Sequence, residues 1–178
     1  MYLSDVEDCV KRVARVIKRE RENKNISVQT VADELKLSNS YYRHLERATT
    51  LHVSLYRHLH MVEVIDIPLS VMIESAEKAE STNDEFSLKD NKMKLATSYD
   101  KEAYIKEISK IFRRIRQEQG KTQKDVGKQL NSTSHYYGYI ERGEHLAISL
   151  YKFFVIAHFL ETPLYEILQE VEEKLSTQ

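Results

Sequence analysis

The chain has 178 residues, of which 41% are hydrophobic and 31% are charged, and its formal net charge is −1. With only 4 Gly and 2 Pro, it has the composition of a helix-rich globular protein, which excludes the collagen-like and fully disordered classes. Its single cysteine, Cys9, excludes an intrachain disulfide framework and a cysteine-rich metal site. No apolar run approaches the ~20 residues that span a bilayer. Because the N-terminus also lacks a signal-peptide pattern, we expect a cytoplasmic protein without a membrane anchor.

Residues 13–73 show the pattern of five short helices. Ser27 and Ser54 each precede a helical run and are typical N-cap residues. Pro68 is typical of the first turn of a helix. No strand-like alternation of useful length is present, so the sequence predicts an all-α unit.

Residues 78–100 differ in composition from the rest of the chain. They are rich in Ser, Asn, Asp and Lys and have no helical periodicity, which is typical of a linker. A flexible linker of this size has a root-mean-square span of about 28 Å, close to the roughly 34–36 Å between DNA half-sites one helical turn apart. Four apolar residues leave open a linker that is partly docked on a domain: Phe86, Leu88, Met93 and Leu95.

Residues 101–178 repeat the five-helix pattern with clearer boundaries. Helical spacing of apolar residues, capping residues and helix-ending glycines all agree in this part of the sequence. Gly120 is predicted to end the first helix, and Thr122 to Asp125 form a capping-box-like start of the second. The third helix is predicted over His135 to Arg142 and is ended by Gly143. Ser149 is predicted to cap the fourth helix, and Thr162 and Pro163 are predicted as the N-cap and first residue of the fifth.

An internal repeat explains why the two parts look alike. Residues 13–73 align without gaps to residues 108–168, at a spacing of 95 positions. Self-similarity at a fixed spacing indicates a duplicated structural unit. We therefore predict one domain in residues 1–77, the linker in 78–100 and a second domain in 101–178. Identical pairs include Tyr41/Tyr136, Tyr42/Tyr137, Arg47/Arg142, Ser54/Ser149, Leu55/Leu150 and Pro68/Pro163.

The second and third helices of each copy, joined by a short turn, form the pattern of a helix-turn-helix. The second copy contains TQKDVGKQLNSTSHYYGYIERG and then ISLYKFFVIAHFLETPLYEIL. These segments resemble the phage-repressor (Cro-like, XRE-type) helix-turn-helix family, as do VQTVADELKLSNSYYRHLERA and VSLYRHLHMVEVIDIPLSVMI in the first copy. The resemblance implies two lambda-repressor-like five-helix domains in tandem. It also implies a sequence-specific, double-stranded DNA-binding transcriptional regulator, more often a repressor, without enzymatic activity or a cofactor.

The two copies depart from the family pattern at the turn and after the third helix. Lys36 and Asn131 stand where family members usually have glycine in the turn. Ser132 is polar where the turn is expected to be apolar, and Ala48 is the counterpart of the helix-ending Gly143. These departures leave open whether both copies bind DNA.

In this family the exposed face of the third helix reads base edges in the major groove. The resemblance assigns this role to Asn39, Ser40, Arg43 and His44 in the first copy, and to Ser134, His135 and Tyr139, with Gly138 beside them, in the second. Arg and Asn are the side chains that read guanine and adenine in a bidentate way. The alternative is that these are ordinary solvated polar positions.

Phosphate contacts are expected at helix N-termini and at basic side chains. The candidates are Ser27 and Arg47 in the first copy and Thr122, Gln123 and Arg142 in the second. Gln123 matches a glutamine that braces a phosphate in the family, whereas Val28 at the equivalent position cannot. The alternative is ordinary charged helix surface.

Two Arg–Glu pairs recur at the repeat spacing: Arg21 with Glu46, and Arg116 with Glu141. In the family an arginine of the first helix pairs with a glutamate at the end of the third. The resemblance therefore implies structural ion pairs and no catalytic role. No metal-ligand or nucleophile motif is present.

The expected partner is double-stranded DNA, and two further partners are left open. The apolar stripe of the fifth helix predicts either a homodimer interface or packing within its own domain. Ser132, the tyrosine-rich third helix of the second copy and the near-neutral charge favour an alternative function, a protein-interaction module such as an antirepressor or assembly partner.

Overall fold

The computed structural model describes residues 3–79 and 99–177. These residues form ten helices and no strand, which confirms the all-α prediction for them. The predicted docking residues of the linker lie outside the described residues, and none of the described helices is long and apolar enough to cross a membrane. The first half contains α1 (Leu3–Asn23), α2 (Val28–Glu34), α3 (Asn39–Glu46), α4 (Leu55–Ile65) and α5 (Leu69–Lys78); the second half contains α6 (Lys101–Glu118), α7 (Gln123–Gln129), α8 (Ser134–Glu141), α9 (Leu150–Phe159) and α10 (Leu164–Ser176).

Hydroxyl side chains begin the short helices of both halves. Ser27 and Ser54 accept hydrogen bonds from the backbone N–H groups of Thr30 and Arg57, as an N-cap does. Thr122 and Asp125 form the predicted capping box at the start of α7, which is confirmed. The helix α8 begins one residue earlier than predicted, at Ser134, because Thr133 is its N-cap.

Four left-handed backbone positions recur at the repeat spacing. Gly120 and Gly143 have φ angles of 65° and 69°, which confirms that they end α6 and α8. Residues with a Cβ adopt this conformation only at a cost of roughly 1–2 kcal/mol, so its recurrence at equivalent places shows that the backbone turns in the same way in both halves. The pairs are Asn25/Gly120, Lys36/Asn131, Ala48/Gly143 and Asp66/Glu161.

The two halves share one hydrophobic core. Helix α1 packs against α5 of its own half and α9 of the other half, α4 contacts α6, and α5 lies along α10. Buried residues of all these helices belong to a single cluster, including Ile65 and Met72 from the first half and Phe112 and Phe153 from the second. Burial of this shared apolar surface holds the halves together.

A pair of backbone hydrogen bonds marks a pseudo-two-fold axis between the halves. The N–H of Leu55 donates to the carbonyl of Ile148 over 2.9 Å, and the N–H of Leu150 donates to the carbonyl of Val53 over 3.0 Å. The two bonds flank an isolated antiparallel bridge between Ser54 and Ser149. Leu55 and Leu150 are repeat equivalents, as are Val53 and Ile148, so each of the two hydrogen bonds is the counterpart of the other. The bridge joins two equivalent serines. A two-fold rotation therefore exchanges one half for the other at this point.

The same symmetry governs the starts of α5 and α10. Glu77 accepts hydrogen bonds from the N–H groups of Leu164 and Tyr165 over 3.0 and 2.9 Å. Its equivalent Glu172 accepts one from the N–H of Ser70 over 3.0 Å and one from the Ser70 hydroxyl. Each half thus caps the last helix of the other half with a carboxylate.

The predicted start of the fifth helix of the second half is one residue too early, and the cap supplied by Glu77 explains why. Pro163 is the N-cap of α10, without a side-chain cap bond of its own, and Leu164 is the first helical residue. The hydroxyl of Thr162 donates to the carbonyl of Leu160 instead of capping the helix. Since Glu77 satisfies the first N–H groups from the other half, the local sequence does not need to supply the cap.

The apolar stripe of the fifth helix is buried within the chain. Leu164, Ile167, Leu168 and Val171 are each at most 2% exposed. Helix α10 lies against α6 and α9 of its own half and against α5 of the other. The stripe therefore packs within its own half, as one of the two alternatives predicted, and it also joins the two halves of the chain; a homodimer interface stays a prediction.

The free energy of unfolding of the wild type should fall as the pH falls, and we expect His58→Phe to remove most of this fall. Burial lowers the pKa of His58 from its ordinary 6.5 to about 4. As the pH falls from 6.5 to 4, the unfolded chain gains a proton that the folded chain does not bind, so the free energy of unfolding falls by roughly 3 kcal/mol. The second half has the buried Phe153 at the equivalent position.

The measurement is urea unfolding of the wild type and of His58→Phe between pH 4 and 7. The variant should show a flatter pH profile over this window. A matched control is His44→Gln, because His44 is exposed and should leave the wild-type profile unchanged. Equal slopes for the wild type and His58→Phe would contradict the prediction.

Candidate nucleic-acid interface

Each half contains two short helices joined by a tight turn. In the first half α2 and α3 are joined through Lys36, and in the second α7 and α8 are joined through Asn131, both in the left-handed conformation. The turns are closed in the same way, since Leu37 N–H donates to Ala32 over 2.8 Å and Ser132 N–H donates to Gly127 over 2.9 Å. Polar Ser132 therefore keeps the backbone geometry of the turn.

Helix α3 buries one face and exposes the other, as predicted. Tyr42 and Leu45 are 0% and 5% exposed and pack inward. Ser40, Arg43 and His44 are exposed on the opposite face. Asn39, the other predicted base-reading residue, is half-buried, and its amide donates a hydrogen bond to the Gln29 side chain. Arg43, the one side chain of this set with a permanent charge, stands on the exposed face.

Helix α8 presents an aromatic surface instead of a basic one. Ser134, His135 and Tyr139 are exposed, and the rings of His135 and Tyr139 meet edge to face with centroids 4.7 Å apart. The guanidinium of Arg142 lies 4.7 Å from the centroid of the Tyr139 ring. Gly138 is buried, contrary to its predicted exposure, because the Arg142 and Gln123 side chains cover it.

The starts of α2 and α7 differ in charge. In α7 the Asp125 carboxylate accepts hydrogen bonds from the N–H and hydroxyl of Thr122, and these bonds lower the pKa of Asp125. In α2 the equivalent residue is Thr30, whose hydroxyl lies 2.8 Å from that of Ser27, and the first turn has no acidic residue. Of the two helix starts, that of α7 already holds a negative charge.

Gln123 braces the protein rather than pointing freely outward. Its side-chain amide donates to Glu141 over 2.7 Å and it is half-buried. This contact ties the start of α7 to the end of α8. The sequence could have suggested the contact between Gln123 and Glu141, because the Glu141 carboxylate can accept further hydrogen bonds after pairing with one arginine.

Arg47 and Arg142 are repeat equivalents with different surroundings. Arg142 forms a two-point ion pair with Glu144, with N–O distances of 2.8 and 3.0 Å, and this pairing lowers the pKa of Glu144. The position of Glu144 is taken by Thr49 in the first half. Arg47 is exposed and forms no ion pair within the described residues. It lines a pocket of about 120 Å³ together with three other basic and two acidic side chains: Lys18, Arg21, Arg43, Glu22 and Glu46. In the part of the chain that the structure describes, Arg47 therefore keeps a charge that no carboxylate pairs with directly, in contrast to Arg142.

The two Arg–Glu pairs anchor the third helix of each half to its first helix. Arg21 donates to Glu46 through Nε over 2.6 Å and through Nη2 over 3.2 Å. Arg116 donates to Glu141 through the same two nitrogens, the second over 3.2 Å. Both glutamates are about 5% exposed. A buried bidentate pair of this kind fixes the orientation of α3 and α8.

The described residues contain no group of three or more side chains able to hold a metal ion. Residues 112–167, from α6 to α10, match the family model described as Helix-turn-helix (HTH_3). No similar protein was found among curated proteins or among solved structures. The match supports the helix-turn-helix family, a class of DNA-binding transcription regulators whose members are typically not enzymes.

Proposed function

We propose that the chain is a sequence-specific transcription regulator in which two helix-turn-helix domains, one in each half, read two DNA half-sites. The observation that carries this proposal is the pseudo-two-fold axis at Ser54 and Ser149, because two-fold related helix-turn-helix units match palindromic operators. A repressor is the favoured role, by the resemblance to phage repressors. One chain then does what a symmetric dimer does in a protein with one such domain.

The proposed operator is an imperfect palindrome, since α3 and α8 carry different residues at equivalent positions. Ser40, Arg43 and His44 would read one half-site, with Asn39 at its edge, and Ser134, His135 and Tyr139 would read the other. Arg43 is the side chain suited to a bidentate contact with guanine. In the second half-site Tyr139 offers apolar contact, for example to a thymine methyl group.

The phosphate contacts are proposed to be stronger in the first half. Arg47 is exposed without an ion pair within the described residues, whereas Glu144 neutralises Arg142. Ser27 and Gln123 can contribute backbone N–H groups at helix starts, whereas the N–H of Thr122 already donates to Asp125. Asp125 at the start of α7 opposes a phosphate there.

The test is a selection of bound fragments from random and genomic DNA duplexes at low and at physiological salt. We expect one bipartite, imperfectly palindromic motif, bound by one chain, with affinity that falls steeply as salt rises. Sedimentation of the complex gives the number of chains per site. A direct repeat would contradict the two-fold arrangement, and a folded protein that enriches no sequence would contradict DNA binding.

Substitution of Arg43 and Arg47 should separate reading from anchoring. Arg43→Ala should relax the preference at one position of the first half-site and weaken binding there by about 1–3 kcal/mol, or roughly 5- to 160-fold. Arg47→Ala should weaken binding to all sequences and reduce the salt dependence.

The matched control is Arg142→Ala, the repeat equivalent of Arg47→Ala. Because Glu144 already neutralises Arg142, this variant should change DNA affinity and salt dependence less than Arg47→Ala. Equal effects of the two substitutions would show that the ion pair with Glu144 does not decide the difference between the halves.

A second candidate function is a protein-interaction module on the same fold, as an antirepressor or assembly partner. The surface of α8 favours it, because Tyr139 is 41% exposed and the charge of Arg142 is neutralised. Exposed tyrosines are enriched in protein interfaces. A stable complex with a protein, lost in Tyr139→Ala and formed without DNA, would support this function.

A further inference from the structure

The pseudo-two-fold axis relates two glutamates that cap helices, but their surroundings differ. On one side the phenol ring of Tyr104 is fully buried, and its hydroxyl donates to Glu172 over 2.8 Å. On the other side the residue equivalent to Tyr104 is Cys9 and the residue equivalent to Glu172 is Glu77. A thiol is much smaller than a hydroxyphenyl group, so the second arrangement lacks a ring.

A cavity of about 400 Å³ lies at this place, open to solvent on one side. Cys9 and Glu77 line it, together with Val6 and His158. The equivalents of Val6 and His158 in the other half are Lys101 and Glu63, which form an ion pair with an N–O distance of 2.6 Å. The side with Tyr104 is therefore filled by residues that the side with Cys9 does not have.

The walls of the cavity are apolar where a ring would lie. Phe154 is 3% exposed and Val6 is 2% exposed, and Tyr165 and Pro163 form further apolar parts of the lining. A cavity of roughly 150 Å³ with apolar walls is large enough to hold benzene. The cleft that Cys9 helps to line has a volume of about 400 Å³, which is enough for one aromatic ring.

Glu77 supplies a polar group at the end of this space. Its two oxygens accept hydrogen bonds from the N–H groups of Leu164 and Tyr165. A carboxylate oxygen can accept a second hydrogen bond, and Glu172 shows this, since its Oε1 accepts from both Ser70 N–H and the Tyr104 hydroxyl. Glu77 thus retains the acceptor that Tyr104 uses in the other half.

Arg12 lies beside Cys9 and the end of α5. Its guanidinium donates to the Cys9 sulfur over 2.9 Å and to the Ala76 carbonyl over 2.7 Å. Burial raises the pKa of Glu77, and this rise is opposed first by the hydrogen bonds from the Tyr165 and Leu164 N–H groups and then by the charge of Arg12. The cavity therefore combines apolar walls with the Glu77 acceptor and with other polar lining residues: Lys78, His158, Glu161 and Thr162.

We propose that this cavity is a binding site for a small phenol, whose ring lies against Phe154 and whose hydroxyl donates to Glu77. The bound phenol would occupy the place that Tyr104 occupies in the other half. Binding would stabilise the contact between α5 and α10, because Glu77 joins these helices. This proposal concerns ligand binding alone and does not depend on DNA binding.

The first test compares 4-methylphenol with 4-methylanisole on the full chain by isothermal titration calorimetry and thermal unfolding. The two probes have similar apolar surfaces, but only 4-methylphenol has a hydroxyl to donate. We expect 4-methylphenol to bind at one site and to raise the Tm, with 4-methylanisole at least about tenfold weaker. No binding of 4-methylphenol at millimolar concentration, or equal affinities for the two probes, would overturn the proposal.

The second test uses the other half as a template. Cys9→Tyr places in the cavity the ring that Tyr104 supplies on its own side, so it should abolish 4-methylphenol binding. The control Tyr104→Phe removes the hydroxyl on the filled side and should leave the affinity within about twofold, well below the loss from one missing hydrogen bond to a charged group. Unchanged binding in a folded Cys9→Tyr variant would overturn the proposal. If that variant does not fold, the comparison of the two probes on the wild type decides.

Discussion

Replacement of Glu172 with alanine should lower the free energy of unfolding by about 3–5 kcal/mol. Glu172 is 0% exposed and accepts hydrogen bonds from the Ser70 N–H, the Ser70 hydroxyl and the Tyr104 hydroxyl. Each buried donor left without a partner costs about 1–3 kcal/mol. The measurement is urea unfolding at neutral pH, compared with Glu173→Ala, because Glu173 is exposed on the same helix.

The size of this effect tests how the halves are joined. Because Glu172 and Glu77 cap helices across the pseudo-two-fold axis, loss of one cap should weaken the contact between α5 and α10. The Glu173→Ala control should change the free energy of unfolding by about 0.5 kcal/mol or less, as surface substitutions usually do. A loss below 1 kcal/mol in Glu172→Ala would contradict a structural role for the crossed caps.

Glu141→Ala should be destabilising by about 3 kcal/mol, because it leaves the Arg116 guanidinium partly buried without its carboxylate. Glu141 is 5% exposed and accepts from Arg116 and, over 2.7 Å, from Gln123. The substitution therefore frees the end of α8 from both α6 and α7. Thermal and urea unfolding measure the loss.

The matched control is Glu170→Ala, which removes another two-point partner of an arginine. Glu170 accepts from Arg114 over 2.8 and 2.7 Å, but both side chains are substantially exposed. Exposed ion pairs contribute about 0–1 kcal/mol, so this variant should lose much less stability than Glu141→Ala. Similar losses in the two variants would show that burial of the Arg116–Glu141 pair is not what matters.

Glu141 and Glu172 stabilise different contacts of the fold. Glu141 fixes the orientation of α8 within the second half, whereas Glu172 fixes one half against the other. Under the proposed function both are needed, because a reading helix must be aimed and the two reading helices must be spaced. Glu141→Ala should therefore weaken one half-site, and Glu172→Ala should weaken the coupling between the two.

The helix boundaries could be predicted because they depend on local sequence. Hydroxyl N-caps such as Thr122 and Ser149, and a glycine such as Gly143, act on backbone groups within a few residues of themselves. Tyr42 and Tyr137 are buried on the face of the third helix opposite the one that the family resemblance assigns to DNA. Because the two copies align at a spacing of 95 residues, helix boundaries predicted in one half could be transferred to the other.

The surface of α8 could be predicted only in part. The exposure of Tyr139 follows from its spacing, but the neutralisation of Arg142 by Glu144 depends on two side chains meeting after the helix has ended. Gly138 was wrongly placed on the exposed face, because the side chains of Arg142 and Gln123 reach over it. Helical spacing shows towards which face of a helix a residue points, but it does not show which neighbouring side chains will cover that residue.

The sequence alone was enough to predict the all-α helices and the resemblance to the helix-turn-helix family, and to propose the duplication and the candidate reading residues, because each rests on short-range or repeated patterns. Three features became visible only in the folded chain: the core shared by the two halves, the helix caps that Glu77 and Glu172 provide across the halves, and the cavity beside Cys9. These features join residues far apart in the chain. Their hydrogen bonds and packing exist only after the two halves meet, so no periodicity in the sequence records them.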